Sequence, residues 1–267
     1  MRYSERIAKV VIETICVGSE MQFHCDQSTS VPDFDLRYAN GIGAVVEVTE
    51  SVDRTWLETT KSVEDKRTVP TKKCRNSWVV QPRSNANTKN IRACIDGVLA
   101  MLEAGGHSQF PILTVSDNWR SVEHIYDEMQ RLGIGIAQTV EPWLPTHTIG
   151  ILLPSRGGGV SIEGFRQAIE TEANKDDNKK KLAVYSDRER HLFVYLDARN
   201  FLPWRVIIHN DPPTDGPSIP TEVTHVWVAA INDTGLEAVV WKAERGSCWQ
   251  SLNPVAIPPQ FSTLEWR

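Results

Sequence analysis

A chain of 267 residues with a net charge of −5 suits one large or two small domains and can bury a sizeable core. Apolar residues make up 40% and charged residues 24%, a globular balance, and the net negative charge excludes a general nucleic-acid coat protein while leaving room for a local basic groove. No apolar run approaches the roughly 20 residues that cross a bilayer, and five cysteines without a CxxC argue against a disulfide framework or structural zinc and for a reducing cytoplasm.

Residues 4–20 place Ile7, Val10, Val11, Thr14 and Ile15 at helical spacing. Glu13 interrupts the apolar part, so the stretch reads as an amphipathic helix and not as a signal peptide. Asp33 to Tyr38 alternates as a strand, with Phe34, Leu36 and Tyr38 on one side. Asn40-Gly41 offers a turn, and "GAVVEV" follows as an apolar strand. Ser51 can cap a helix running to about Lys66. "SWVVQP" is a short buried strand stopped by Pro82. Residues 87–106 are the clearest helix, with Ile91, Ile95, Val98, Leu99 and Leu102 on one face and Gly105-Gly106 at the end. "FPILTVS" reads as a strand and "VEHIYDEMQRLG" as a helix, followed by strands in "IGIAQTVE" and "THTIGILLP". Helices follow in "VSIEGFRQAIETEAN" and "DDNKKKLAV", then strands in "RHLFVYLD", "VTHVWVAAI" and "AVVWKA". "NDPPTDGPSIP" is a proline-rich loop too short to prove a domain boundary. The alternation implies an α/β protein with a mixed central sheet.

The chemistry concentrates in "VPDFDLRYANGIGAVVEVT", residues 31–49. Asp33 opens one strand, and Glu47 and Thr49 share a face of the next because side chains repeat every two residues. A turn between the strands makes them antiparallel neighbours and brings Asp33 and Glu47 near enough to share a hard cation such as Mg2+. Such an ion can polarise a phosphodiester and lower the pKa of bound water.

"PD" followed by "EVT" resembles the PD-(D/E)xK nuclease superfamily. The resemblance implies a restriction-endonuclease-like core of helix–strand–strand–strand–helix–strand over 1–140, with 77–81 as its third strand, and a C-terminal α/β extension over 141–267. Asp33 and Glu47 then match the metal-binding acids for Mg2+ or Mn2+. Thr49 stands where the catalytic lysine belongs, with Lys61, Lys72 and Lys73 as candidate replacements. Gln81 could also face the metal, and Glu13 or Glu20 could add an acid. The implied activity is cleavage of nucleic acid, DNA ahead of RNA, in bacterial defence or DNA processing, with a homodimer admissible and no membrane partner. The alternative is a degenerate module that binds nucleic acid or a protein. The chain also resembles bacterial proteins of similar length with "PDF…G…VEVT" and "KL…RHLFVYLD", which bring no established activity.

Lys66, Arg67, Lys72, Lys73 and Arg75 fall within ten residues. They read either as a phosphate-contacting edge or as a solvated loop. Asn178, Lys181, Arg190 and His191 form either a second polar cluster near the acids or a structural brace at a strand start. "PSRGGGVSIEGF" lacks the GxxxxGK[ST] of a nucleotide loop and reads as a flexible turn. Trp227 lies inside an apolar strand pattern and belongs to a core.

Overall fold

The computed structural model describes residues 1–25, 31–111, 119–140, 147–154 and 161–259. It has mixed α/β architecture with two mixed sheets, divided into two compact units: Met1–Val52 with Gly158–Arg267, and Asp53–Gly157. The second unit is thus inserted into the first. This corrects the expected boundary at 140/141, which falls inside the insertion.

The first unit opens with α1 (Tyr3–Ile15), β1 (Glu20–Phe23), β2 (Phe34–Arg37) and β3 (Gly43–Ser51). The helix stops at Ile15, short of the expected residue 20, and Gly18 (φ +79°) turns the chain into β1, which begins at Glu20. Beyond the insertion come α5 (Ile162–Ala173), α6 (Asp176–Ala183), β9 (Glu189–Leu196), α7 (Phe201–His209), β10 (His225–Ile231), β11 (Glu237–Glu244) and β12 (Gln250–Ala256). The seven strands lie in the order β1-β2-β3-β9-β10-β11-β12, with β3, β9 and β10 parallel and the other pairs antiparallel.

Both faces of this sheet are covered, which explains the near-continuous apolar runs of β9 and β10. Ile7, Val11 and Ile12 of α1 pack with Phe34, Val46, Phe193 and Trp227 on one face. Phe165, Ile169, Leu182, Trp204 and Ile207 pack from α5, α6 and α7 with Val45, Leu192, Val194 and Val228 on the other. Ser161 caps α5 by accepting from Gly164 N–H at 3.0 Å; most of the glycine-rich stretch before it lies outside the described residues.

The second unit contains α2 (Arg54–Asp65), β4 (Thr68–Pro70), β5 (Trp78–Pro82), α3 (Thr88–Ala104), β6 (Gln109–Phe110), α4 (Trp119–Leu132), β7 (Ile134–Thr139) and β8 (Thr148–Ile151). Its sheet order is β4-β8-β5-β7-β6. Asp53, not Ser51, caps α2, accepting from Trp56 N–H at 2.8 Å. The expected stripe of α3 packs as read, with Ile91, Ile95, Val98, Leu99 and Leu102 buried around Trp78 and Val80. β5, expected as the third core strand beside the hairpin, pairs instead with β7 and β8. Of the strand expected in 110–116, β6 keeps Phe110, and 112–118 lie outside the described residues. Among the described residues no helix is long and apolar enough to cross a membrane.

The basic loop of this unit is held from beneath by two carboxylates of α3. Asp96 accepts from the Thr71 hydroxyl and from Lys72 and Lys73 N–H, and Glu103 accepts from Arg75 N–H (2.7 Å), Asn76 N–H (3.0 Å) and Trp78 Nε1–H (2.8 Å). Burial acts to raise both carboxyls, but these bonds outweigh it and hold both below their ordinary values. Asp96→Ala leaves the Thr71 hydroxyl and two backbone donors without their acceptor. It is expected to cost about 2 kcal/mol in urea unfolding, with Lys72→Ala near zero as the control.

Candidate metal centre and its surroundings

β2 and β3 pair with Phe34 opposite Val46. Continuing that register by one residue sets Asp33 opposite Glu47. Asp33 Oδ2 accepts from Val48 N–H at 2.8 Å, which fixes the carboxyl against β3. Glu47 sits in the middle of β3 and is 2% exposed. With Thr49 it faces α5 and α6, as the alternation demanded.

Two cations reach these acids from elsewhere in the unit. Arg2, before α1, donates from Nη2 to both Asp33 oxygens at 3.2 and 3.3 Å and to the Val48 carbonyl at 3.3 Å. Its other partner is Glu5, buried in the first turn of α1. Lys181 of α6 donates from Nζ to Glu47 Oε1 at 2.8 Å. The second oxygen, Glu47 Oε2, is buried with no hydrogen-bond partner among the described residues.

Burial, followed by the neighbouring Asp33 charge, pushes the Glu47 carboxyl up to about 7 despite Lys181. Burial also raises Asp33, against the pull of Val48 N–H, Arg2 and Lys181. A pair of acids both raised by burial, with one bare oxygen in a buried place, is an electrostatic deficit that a further cation would relieve.

Thr49 takes no part in this pair. Its hydroxyl donates to Glu172 Oε2 of α5 at 2.6 Å, and Glu172 in turn pairs with Lys175. Thr49 therefore braces the helix that leads into α6.

The other expected site residues are placed as follows. Glu20 pairs in register with Arg37, and Phe23 with Phe34. Glu20 is therefore at the far end of that hairpin from Asp33, roughly 13 Å along the strand, which corrects its expected role as a third acid. Glu13 accepts from Met21 N–H at 2.9 Å and pairs with Lys9. Lys61, Lys66, Arg67, Lys72, Lys73 and Arg75 are exposed residues of the second unit, and Gln81 of β5 donates to the Leu153 carbonyl at 3.3 Å. The lysine that pairs with Glu47 is thus Lys181, from the first unit, and not the expected Lys61, Lys72 or Lys73. The backbone donors of 72–76 that could grip a phosphate are largely spent on Asp96 and Glu103.

Of the second polar cluster, the structure takes Lys181 to Glu47 and Asn178 to the Glu172 carbonyl at 2.8 Å. Arg190 donates to the Thr221 carbonyl at 3.1 Å. His191 points to the α1 face, away from the Glu47 side. There, Glu189, His191 and His225 bring ligand atoms within 4.8 Å of one another and could hold a metal ion. A sequence signal sets Lys181 on the inward side of its helix: Asn178, Lys181 and Leu182 share one face at i, i+3 and i+4, and Asn178 and Leu182 are both buried.

A scan against protein-family models finds no match to the chain, and a search of curated proteins finds none either.

Proposed function

We propose that the first unit is a PD-(D/E)xK-like, metal-dependent nuclease centre in which Lys181 stands in for the motif lysine. The observation that carries this reading is the Lys181–Glu47 contact of 2.8 Å beside Asp33, with Glu47 Oε2 left bare. The element order supports it. With 53–157 set aside, α1-β1-β2-β3 runs through α5 and α6 to β9, which lies parallel to β3. That order resembles the helix–strand–strand–strand–helix–strand core of the superfamily, with two helices where the core has one.

Asp33 and Glu47 are the residues that would hold Mg2+ or Mn2+, whose hard charge suits carboxylate oxygens. Such an ion supplies polarisation of the phosphodiester and a more acidic bound water. Lys181 keeps Glu47 oriented and sets an ammonium where charge develops on a phosphoryl oxygen. Arg2, on Asp33, is a second positive charge for the phosphate backbone. DNA is the proposed substrate ahead of RNA.

The binding-only alternative also has an observation behind it: Arg2 and Lys181 already partner both acids. The test is cleavage of labelled plasmid, single-stranded DNA and RNA by the whole chain with Mg2+, Mn2+ or EDTA. Wild type is expected to cut in either metal and not in EDTA, and Glu47→Gln and Asp33→Asn to cut nothing. Undiminished cleavage by the folded variants would remove the proposal. Nucleic-acid binding without cleavage by wild type would establish the alternative.

A further inference from the structure

On the α1 face of the large sheet, Tyr38, Glu189, His225, Lys242 and Glu244 line an open cavity of about 490 Å3. The hydrogen bonds around it constrain where the imidazole protons lie. Trp227 Nε1–H donates to His191 Nδ1 at 3.0 Å. The neutral His191 ring must then carry its proton on Nε2, which lies 3.0 Å from Glu189 Oε2. Tyr38 donates to the same oxygen at 2.9 Å. Glu189 is thus oriented by two donors on Oε2, and its Oε1 remains for another partner.

His225 has the opposite tautomer. Thr224 Oγ1 accepts from Arg190 N–H at 2.7 Å and donates its one proton to the Arg190 carbonyl at 3.0 Å. A hydroxyl that spends its proton on Arg190 can only accept from His225 Nδ1, 3.0 Å away; in that arrangement the His225 proton sits on Nδ1 and Nε2 presents a bare lone pair. That lone pair faces Glu244 Oε1 at 3.2 Å. Two acceptors opposed at this distance repel unless a cation lies between them. Lys242 lines the same cavity with its ammonium 4.7 Å from the Trp227 ring centroid, and the charges of Glu189 and Glu244 together outweigh it.

We propose that this cavity is a second metal site, separate from the Asp33–Glu47 pair, which binds one borderline divalent cation through His225 Nε2 and Glu189, two of the three residues whose ligand atoms lie within 4.8 Å of one another, with Glu244, 3.2 Å from His225 Nε2, turning in as the third ligand. His191 and Tyr38 act as positioning residues on Glu189. One imidazole with two carboxylates suits Zn2+, Co2+, Fe2+ or Mn2+, and the hydrogen-bonded second layer is what such sites use to aim their ligands. The site lies on the opposite sheet face from Glu47 and does not depend on the nuclease reading.

The test is a Zn2+ titration of the whole chain after EDTA treatment and dialysis, read by calorimetry and melting temperature. Glu47→Gln, which removes a ligand of the other proposed centre, is expected to keep one Zn2+ equivalent, and wild type to bind that equivalent with the same affinity. His225→Gln and Glu189→Gln, each checked for a native far-UV spectrum, are expected to bind it at least about tenfold more weakly. The Co2+ form should show visible absorption bands that His225→Gln lacks. No Zn2+ binding by wild type, or equal binding by both cavity variants, overturns the proposal. So does loss of binding in Glu47→Gln alone. His225 would then donate Nε2–H directly to Glu244.

Discussion

Lys181→Met is expected to slow Mg2+- or Mn2+-dependent cleavage by at least about a hundredfold, the usual loss when one preorganised charge-stabilising group is removed from an active site. Lys72→Met and Lys73→Met are expected to stay within about twofold of wild type. The contrast follows from placement: Lys181 Nζ is 2.8 Å from Glu47 Oε1, whereas Lys72 and Lys73 are exposed in the other unit, over a loop whose backbone is tied to α3. Removing Lys181 also strips a buried carboxylate of its ion-pair partner, so the variant should hold Glu47 protonated to still higher pH. Lys181→Arg, which keeps the charge, should recover part of the rate. A Lys181→Met protein that cuts as fast as wild type would falsify the assignment of this lysine. DNA binding measured in EDTA separates the two roles of Lys181, since loss of charge stabilisation spares binding and loss of fold does not.

The second large effect is on stability against pH, where two buried groups pull in opposite directions. Burial drives His191 down to about 4 from 6.5. Its contribution is present above about 6.5 and is lost as pH falls through 4, because the unfolded chain takes up a proton that the folded one refuses. Glu47 is raised from 4.5 to about 7. Its contribution is present below 4.5 and is lost as pH rises through 7. Each shift corresponds to on the order of 3 kcal/mol, and the windows overlap. Asp33, also raised, pulls with Glu47, while Glu189, lowered to about 2, acts in a more acidic window. The metal-free wild type is therefore expected to show a nearly flat urea midpoint between pH 4.5 and 6.5. Glu47→Gln removes the opposing contribution, and its stability should climb by about 2 kcal/mol over that range. Profiles that run parallel in the two proteins would show that Glu47 does not titrate in this window.

Much of the local structure was written in residue pattern. The hairpin of β2 and β3, the placing of Glu47 and Thr49 on one face, and the buried stripe of α3 follow from period and turn chemistry alone. Other features were hidden for physical reasons. α7 contains Pro203, which looks like a breaker, yet as the third helical residue it falls in the first turn, where no intrahelical N–H is needed. β5 was set beside β3 because it comes next in the chain, but an insertion carries it into another sheet, and the strand that completes β3 is β9. Sequence pattern groups Lys181 with polar neighbours near the acids but cannot match it to Glu47, because 134 positions separate them and no periodicity spans that distance.

That separation has a consequence during synthesis. Asp33 and Glu47 leave the ribosome with β2 and β3, and the inserted unit, contiguous in sequence, follows whole. At roughly 5–20 residues per second, Lys181 emerges on the order of ten seconds after Glu47. β9 and β10, which cover the flank of β3, come later still. A nascent chain that stalls within the insertion therefore carries the two acids without the lysine and without the strand that pairs with β3, so the Lys181–Glu47 contact forms only after the whole insertion has been made.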